Sequence, residues 1–463
     1  MLRNAAESKC SEFVAVYGRR RVGKTFLVRE TFNSNFTFQH SGVANSGTKI
    51  QLERFRRSLI ESGHARCPAL KTWFQAFDEL KTVVVSSNMG KKVLFIDEMP
   101  WMDKPNANFI PALENFWNAW ASARKDVLLI VCGSATSWML NKVIHGRGGL
   151  HNRVTVRIPL RPFCLSECEE LAASMGLEAT RYQLVQYYMA LGGVAYYWSQ
   201  LAKGMSAEQN INRLFFSKDE GLRGEFEELY SSLFRNPQPY EQIIRSLGKR
   251  RYGLTRDEIL SDVGKESGGD MTRYLEELEE CGFIRSYHVV GAVKRGKLYQ
   301  LIDNFSLFHM QFSGVHGSDD GNYWTAFVPE GTKHAWRGLA FERLCLSHVR
   351  QIKETLGISG VAVDVYAWRR KGTERGDAGV QIDLLLDRKD GIINLCEMKY
   401  SEGEYVLDHA ELERMISRRE TFRSACGTKK AIHLTLVTSN GLRHNKYSGN
   451  IQSELALADL FRE

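Results

Sequence analysis

Eight residues early in the chain have the types and spacing of a phosphate cradle: Gly18, Arg19, Arg20, Arg21, Val22, Gly23, Lys24 and Thr25, the pattern G-x-x-x-x-G-K-[ST]. Phe13–Tyr17 before it is short, apolar and β-branched, which predicts a buried strand, and Phe26–Phe32 after it has helical spacing. Strand, glycine turn and helix make the geometry such chemistry requires. Gly18 and Gly23 let the backbone curl so that its N–H groups converge on phosphate oxygens at a positive helix end. Lys24 adds a point charge for the β- and γ-phosphates, and the Thr25 hydroxyl is placed to ligate Mg²⁺. The expected ligand is therefore ATP with Mg²⁺.

Hydrolysis also needs an acid on a neighbouring strand, and Lys92–Ile96 leads into Asp97 and Glu98. Asp97 is expected to hold the metal's water shell, and Glu98, facing the other way, to polarise the attacking water. A third apolar strand, Val127–Cys132, ends in Gly133-Ser134-Ala135-Thr136. Ser134 or Thr136 there either senses the γ-phosphate or only caps a helix. The basic loop 145–153 offers Arg147 and Arg153 as an arginine finger, in cis or from a neighbouring subunit, or as plain solvated cations.

A second constellation lies near the C-terminal end. Val380–Asp387 reads as a strand, Lys389-Asp390-Gly391 as a turn, and Ile392–Lys399 as the returning strand. Alternation puts Glu397 and Lys399 on one face, which Asp383 on the paired strand can approach. Two carboxylates can hold a divalent cation, and a lysine can stabilise charge developing on a phosphate. Asp-x(n)-Glu-x-Lys resembles the motif of the PD-(D/E)xK nuclease fold, and Glu342, on an earlier helix, stands where that fold often supplies a further acid.

The elements that must position these groups imply several domains, because 463 residues exceed one ordinary core. Hydrophobic residues make up 43% and charged residues 25%, as in globular proteins, and no apolar run approaches a bilayer span. Met1–Glu12 is polar rather than signal-like, and nine cysteines without framework spacing suggest reduced thiols, so a cytoplasmic location is expected. A net charge of +8 permits nucleic-acid contact without demanding it. From Phe13 to about Leu160 strands alternate with helical stretches, which implies a parallel sheet covered on both faces. Residues 161–237 read as a helical lid packed on that core, interrupted at Gly192-Gly193.

Residues 238–302 read as a winged helix-turn-helix. Tyr240–Leu247 opens it, Thr255-x-x-Glu258 forms a capping box, Met271–Leu278 is the third helix, and a hairpin carries Lys294 and Arg295 at its turn. Thr272 and Arg273 would enter a DNA major groove, although glutamates crowd the same helix and winged helices also dock proteins. Residues 303–333 read as an exposed linker, and 334–463 as the nuclease-like domain.

Taken together, Phe13–Thr25, Phe95–Glu98, Cys132–Ser134, Leu160-Arg161-Pro162-Phe163 and Leu191–Val194 resemble the prokaryotic archaeal-type ATPases, within the AAA-like, signal-transducing branch of P-loop NTPases. Many members also carry a C-terminal nuclease-like domain. Members usually frame adenine with an Arg-Glu pair ahead of the first strand. Met1–Glu12 contains none, so that segment lies upstream or adenine is held differently. The expected fold is α/β and multidomain: a P-loop core (1–160), lid, winged helix, linker and restriction-endonuclease-like domain. The expected function is an ATPase coupled to a metal-dependent nuclease acting on DNA, without membrane contact and with a second copy or protein partner allowed for. The alternative is an ATP-driven switch or DNA-binding regulator whose nuclease-like domain only binds or docks.

Overall fold

The computed structural model describes residues 1–134, 138–144, 150, 152–217, 221–222, 224–234, 236–264, 269–289, 297–313, 322–370 and 379–462. The chain divides into two compact units, Met1–Arg161 with Leu229–Pro237, and Pro162–Glu228 with Gln238–Glu463.

In the first unit five strands form one sheet: β1 Glu12–Tyr17, β2 Phe38–Ser41, β3 Lys92–Asp97, β4 Val127–Gly133 and β5 Val156–Pro159. Their order is β2-β3-β4-β1-β5, and every pairing is parallel. All seven residues of β4 are buried, as a central strand covered on both faces must be. The strand ending in Asp97 is therefore not the neighbour of β1, as the sequence suggested. β4 lies between them, because its continuous apolar run suits the most buried position. The helices of this unit include α1 Leu2–Glu7, α2 Lys24–Thr31, α3 Thr48–Glu61, α4 Trp73–Ser86 and α5 Phe109–Ala119. One sheet face packs on Phe55, Trp73, Phe77 and Phe116, and the other on Leu2 and Val28.

The second unit contains the helices of 165–216, which cluster with the C-terminal half of the chain rather than forming part of the first unit. Tyr197 packs on Phe305 at 4.6 Å and Phe215 on Phe308 at 4.4 Å between ring centres, and Leu165 N–H donates to His348 Nε2 at 3.0 Å. Residues 303–333 likewise differ from the exposed linker expected. Asn304–Phe308 is a buried helix, and Phe312 and Trp324 are buried with it, because the aromatic residues of this stretch outweigh its Gly/Ser/Asp middle. That middle, 314–321, lies outside the described residues.

Helices Gln238–Gly248, Arg256–Asp262 and Gly269–Glu280 precede a hairpin, as the sequence suggested, with Thr255 and Glu258 forming the reciprocal cap. The hairpin's tip, with Lys294 and Arg295, lies outside the described residues. The remaining strands are β6 Leu254–Thr255, β7 Ile284–Val289, β8 Lys297–Leu301, β9 Val363–Arg370, β10 Val380–Arg388, β11 Ile392–Lys399, β12 Tyr405–Val406, β13 Ala431–Thr438, β14 Leu442–Arg443 and β15 Ser453–Leu455. Eight of them form one mixed sheet, β15-β13-β11-β10-β9-β7-β8-β6, and β12 pairs with β14 separately. The hairpin joins the C-terminal strands through β7 and β9, with His288 opposite Tyr366.

Candidate functional site

At the first candidate site the turn after β1 is closed by backbone contacts only glycine allows. Gly18 has φ 146°, and a Cβ there would stand 2.1 Å from the Leu160 carbonyl oxygen. Gly23, with φ 95°, leads into α2. Lys24 Nζ, buried, donates to the carbonyls of Gly18 at 2.8 Å and Arg19 at 2.9 Å, holding the turn in its curl. Arg19 is buried, and Arg20, Arg21 and Val22 complete the loop.

Thr25, on the first turn of α2, donates its hydroxyl to Asp97 Oδ2 at 2.7 Å. Burial pushes the Asp97 pKa up, the Thr25 hydrogen bond pulls it down, and the adjacent Glu98 charge pushes it up again, for a net rise. Such a carboxylate gains from a cation beside it. Glu98 has the left-handed φ of 48°, and its carboxylate accepts the Ser134 hydroxyl at 2.5 Å. Because β4 lies between β1 and β3, Ser134 at its end reaches the glutamate. Strain of this kind in a non-glycine residue is held only where surrounding contacts fix it. Gly42, which the sequence reading did not single out, ends β2 where a Cβ would meet the Glu98 carbonyl oxygen at 2.5 Å.

Thus Thr25, Asp97, Glu98 and Ser134 form one hydrogen-bonded series, with Lys24 next to Thr25 in the chain, at the C-terminal strand ends, the place where open α/β sheets bind ligands. Arg153 is exposed, and its N–H donates to the Leu150 carbonyl. Thr136, His145, Arg147 and His151 lie outside the described residues.

At the second candidate site, β10 is irregular between Ile382 and Leu385 in its pairing with β9. This bulge sits at Asp383, and bulges re-aim side chains. Across the β10–β11 pair, Leu384 faces Cys396, so Asp383 and Glu397 are next in register. Gln381 Nε2 donates to Asp383 Oδ1 at 2.5 Å. Burial raises the Asp383 pKa, against the pull of Arg343. Glu342, on the helix Glu330–Ser347, is pushed up to about 7 by burial and then by the Asp383 charge.

Glu397 behaves oppositely. Burial opposes its charge, but Lys399 and Arg418 outweigh that and lower its pKa. Lys399 Nζ lies 2.8 Å from Glu397 Oε1 and 2.7 Å from Glu411 Oε1, and Arg418 Nη1 lies 2.7 Å from Glu397 Oε2. Arg343, almost fully buried, gives one N–H₂ group to the Arg251 carbonyl, while its Nε and Nη1 have no hydrogen-bond partner among the described residues. Sequence reasoning missed Arg343, Arg418 and Glu411. The only signal was a basic, acidic helix (409–426) following the Glu-x-Lys strand.

Fit to a metal differs between the two sites. Thr25 and Asp97 present a hydroxyl and a carboxylate already within hydrogen-bond reach, a donor set that suits Mg²⁺. At the second site Asp383 and Glu342 have charge that a cation would relieve. Glu397 has both oxygens taken, and among the described residues these three carboxylates do not gather within 4.8 Å of one another.

Among the described residues no helix is long and apolar enough to cross a membrane. Residues 1–201 match the family described as an ATPase domain predominantly from Archaea. An uncharacterized protein of Methanocaldococcus jannaschii, MJECL04, is 24% identical over 408 residues, 87% of this chain and 85% of its own. The chain also aligns with the Walker-type ATPase PABY2304 of Pyrococcus abyssi at a TM-score of 0.46 and 15% identity, covering 67% of this chain and 93% of that one. With the ORC2 protein of Aeropyrum pernix the TM-score is 0.40 and identity 13%, over 66% and 89%.

Proposed function

With residues 1–201 as an archaeal-type ATPase domain, we propose that the chain binds ATP with Mg²⁺, hydrolyses it, and couples this to a C-terminal domain of PD-(D/E)xK type directed at DNA. The observation that carries the ATPase half is the series Thr25–Asp97 and Ser134–Glu98 at the strand ends beside the phosphate loop. Lys24 and the loop N–H groups bind phosphate, Thr25 and Asp97 would hold Mg²⁺, and Glu98 takes the water's proton. Mg²⁺ supplies charge neutralisation at the phosphates when bound.

For the C-terminal half, the support is the approach of Asp383, Glu342 and Lys399 on a helix and two paired strands. There Asp383 and Glu342 would hold the metal and Lys399 would face a phosphate, with Glu397 joining once Arg418 turns to the substrate. Three helices and a hairpin whose strands extend this sheet suit a winged helix joined to it. Arg273 is already paired with Asp270 at 2.9 Å, which weakens it as a base reader.

A second reading is favoured by the hold of Lys399 and Arg418 on Glu397: a domain that binds DNA or a partner and does not cut. One assay separates the two. Purified protein is incubated with Mg²⁺ or Mn²⁺ and DNA, with and without ATP. Cleavage that disappears in Asp383→Asn and Lys399→Ala, with ATP turnover retained, supports the nuclease. DNA left intact but retained on the protein under every condition supports the switch.

A further inference from the structure

His64, Cys67 and Glu79 are the one group of three metal-ligating side chains among the described residues whose donor atoms all lie within 4.8 Å of one another. They belong to the first unit and take no part in the phosphate site. Two packed helices and the turn between them fix their positions. α3 ends in a Schellman closure: Gly63 N–H donates to the Ile60 carbonyl and His64 N–H to the Leu59 carbonyl, each at 3.0 Å, with Gly63 at φ 100°. Cys67 N–H then donates to the His64 carbonyl at 3.0 Å, so the imidazole and thiol stand across one tight turn. Arg56 Nε, reaching back from α3, holds the Cys67 carbonyl at 3.0 Å and that of Pro68 at 2.9 Å. Glu79 comes from α4, whose start is capped by Thr72 and whose other face buries Trp73, Ala76, Phe77 and Leu80.

The chemistry of the three donors selects the ion. A thiolate and an imidazole are soft and borderline ligands, which Mg²⁺ and Ca²⁺ do not choose and zinc-type ions do. Cys67 is buried, whereas the His64 and Glu79 side chains keep 17% and 26% of their exposure, so water can reach a fourth position. His64 Nε2 and Glu79 Oε2 are now 2.5 Å apart as a hydrogen-bonded pair. Ligands of one tetrahedral ion stand roughly 3.5 Å apart at bond lengths near 2 Å, so a small opening of that pair admits the ion. With neither ion nor deprotonation, Cys67 remains a thiol, kept so by its burial and by the Glu79 charge.

We propose that His64, Cys67 and Glu79 bind a zinc-type dication through imidazole nitrogen, thiolate and carboxylate, with water as fourth ligand. On binding, the Cys67 proton passes to solvent, neutral His64 gives its lone pair, and the two anionic ligands balance the ion's charge. The ion clips the α3–α4 turn beneath the sheet and acts as a structural site.

The test uses the full chain, stripped with chelator and titrated with Co²⁺ in excess Mg²⁺, which occupies the oxygen-donor sites. One equivalent of Co²⁺ should produce a thiolate-to-cobalt charge-transfer band that one equivalent of Zn²⁺ abolishes. Cys67→Ser should lose the band while still binding ATP, and Cys10→Ser, at an exposed cysteine, should keep it. Should Cys67→Ser fail to fold, His64→Gln takes its place and must weaken Co²⁺ binding at least about 10-fold. No band in the wild-type chain, a band that persists in Cys67→Ser, or unchanged affinity in His64→Gln overturns the proposal and leaves an ordinary His–Glu ion pair.

Discussion

Glu98 is held from both ends, by a left-handed backbone and by the Ser134 hydroxyl on its carboxylate. A base so held is aimed, and its partner acts by aiming it. Ser134→Ala should therefore leave ATP affinity unchanged and slow turnover by about 10-fold or more, measured as steady-state phosphate release beside nucleotide binding. Glu98→Gln should keep binding and lose about 10²–10⁴-fold in turnover, since metal coordination through Asp97 survives. Lys24→Ala should instead lose binding, because phosphate charge stays uncompensated in the loop; equal affinity for ATP would remove the phosphate-site assignment. Glu342 allows a prediction on pH. Its folded pKa of about 7 is above the usual carboxylate value of 4.5, so between those values the folded chain holds more protons than the unfolded one. Stability from this group is thus lost as pH rises from about 4.5 to 7, at most about 3 kcal/mol. Glu342→Gln should flatten the fall in melting temperature across that window, and added Mn²⁺ should raise the melting temperature of the wild type most above pH 7. A wild-type melting temperature with the same pH slope as Glu342→Gln would contradict the burial of this charge.

At the scale of elements, the contact between Phe163 and Gly193 explains why glycine stands there. The Phe163 N–H donates to the Gly193 carbonyl at 2.7 Å, and a Cβ on Gly193 would fall 1.8 Å from the Phe163 carbonyl oxygen. Backbone cannot yield as a side-chain tip does, so Gly193→Ala should cost several kcal/mol and lower the thermal midpoint by roughly 10 °C or more. An alanine variant melting with the wild type would show that this close approach is not kept in solution. The Gly192-Gly193 break was legible in the sequence, as were the phosphate turn, Asp97 with Glu98, and the β10–β11 pair, since each is written in consecutive residues. β2 was not, because Phe38-Gln39-His40-Ser41 is four residues of mixed polarity. Nor was the place of β4 between β1 and β3, which is set by long-range pairing such as that of Glu12 with Leu128. Of the partners of Glu397, Lys399 was legible two residues on, whereas Arg418 was hidden because it lies on the helix that follows, and only the fold brings it back.

At the scale of the whole molecule, the boundaries are where sequence and structure part most. Composition drew lines at 237 and across 303–333, whereas packing places 162–228 with the C-terminal half and fills 304–312 with core. The reason is aromatic and ionic. Tyr188 stacks edge-on to His348 at 5.4 Å, and Asn304 donates to the Tyr188 carbonyl at 3.2 Å. Glu208 receives buried Arg337 at 3.0 Å and buried Lys333 at 3.3 Å. Cutting the chain between residues 237 and 238 would strip these aromatics of their cover and leave two cations without that acid. Arg337 keeps Glu330 and Glu402, and Lys333 keeps Glu330, so each lost contact to Glu208 costs about 1–3 kcal/mol, while exposed apolar patches of this kind drive aggregation. The piece 238–463 should therefore give no cooperative melt or sharp near-UV dichroism when made alone, and in 1–237 only the first unit should melt cooperatively, with 162–228 left unfolded. Within the intact chain, Glu208→Ala should reproduce part of the effect, losing roughly 1–3 kcal/mol of stability in denaturant titrations, because Glu330 and Glu402 still face the two cations. A piece 238–463 that melts cooperatively would return the boundary to 237, and with it the view of residues 161–237 as belonging to the ATPase core.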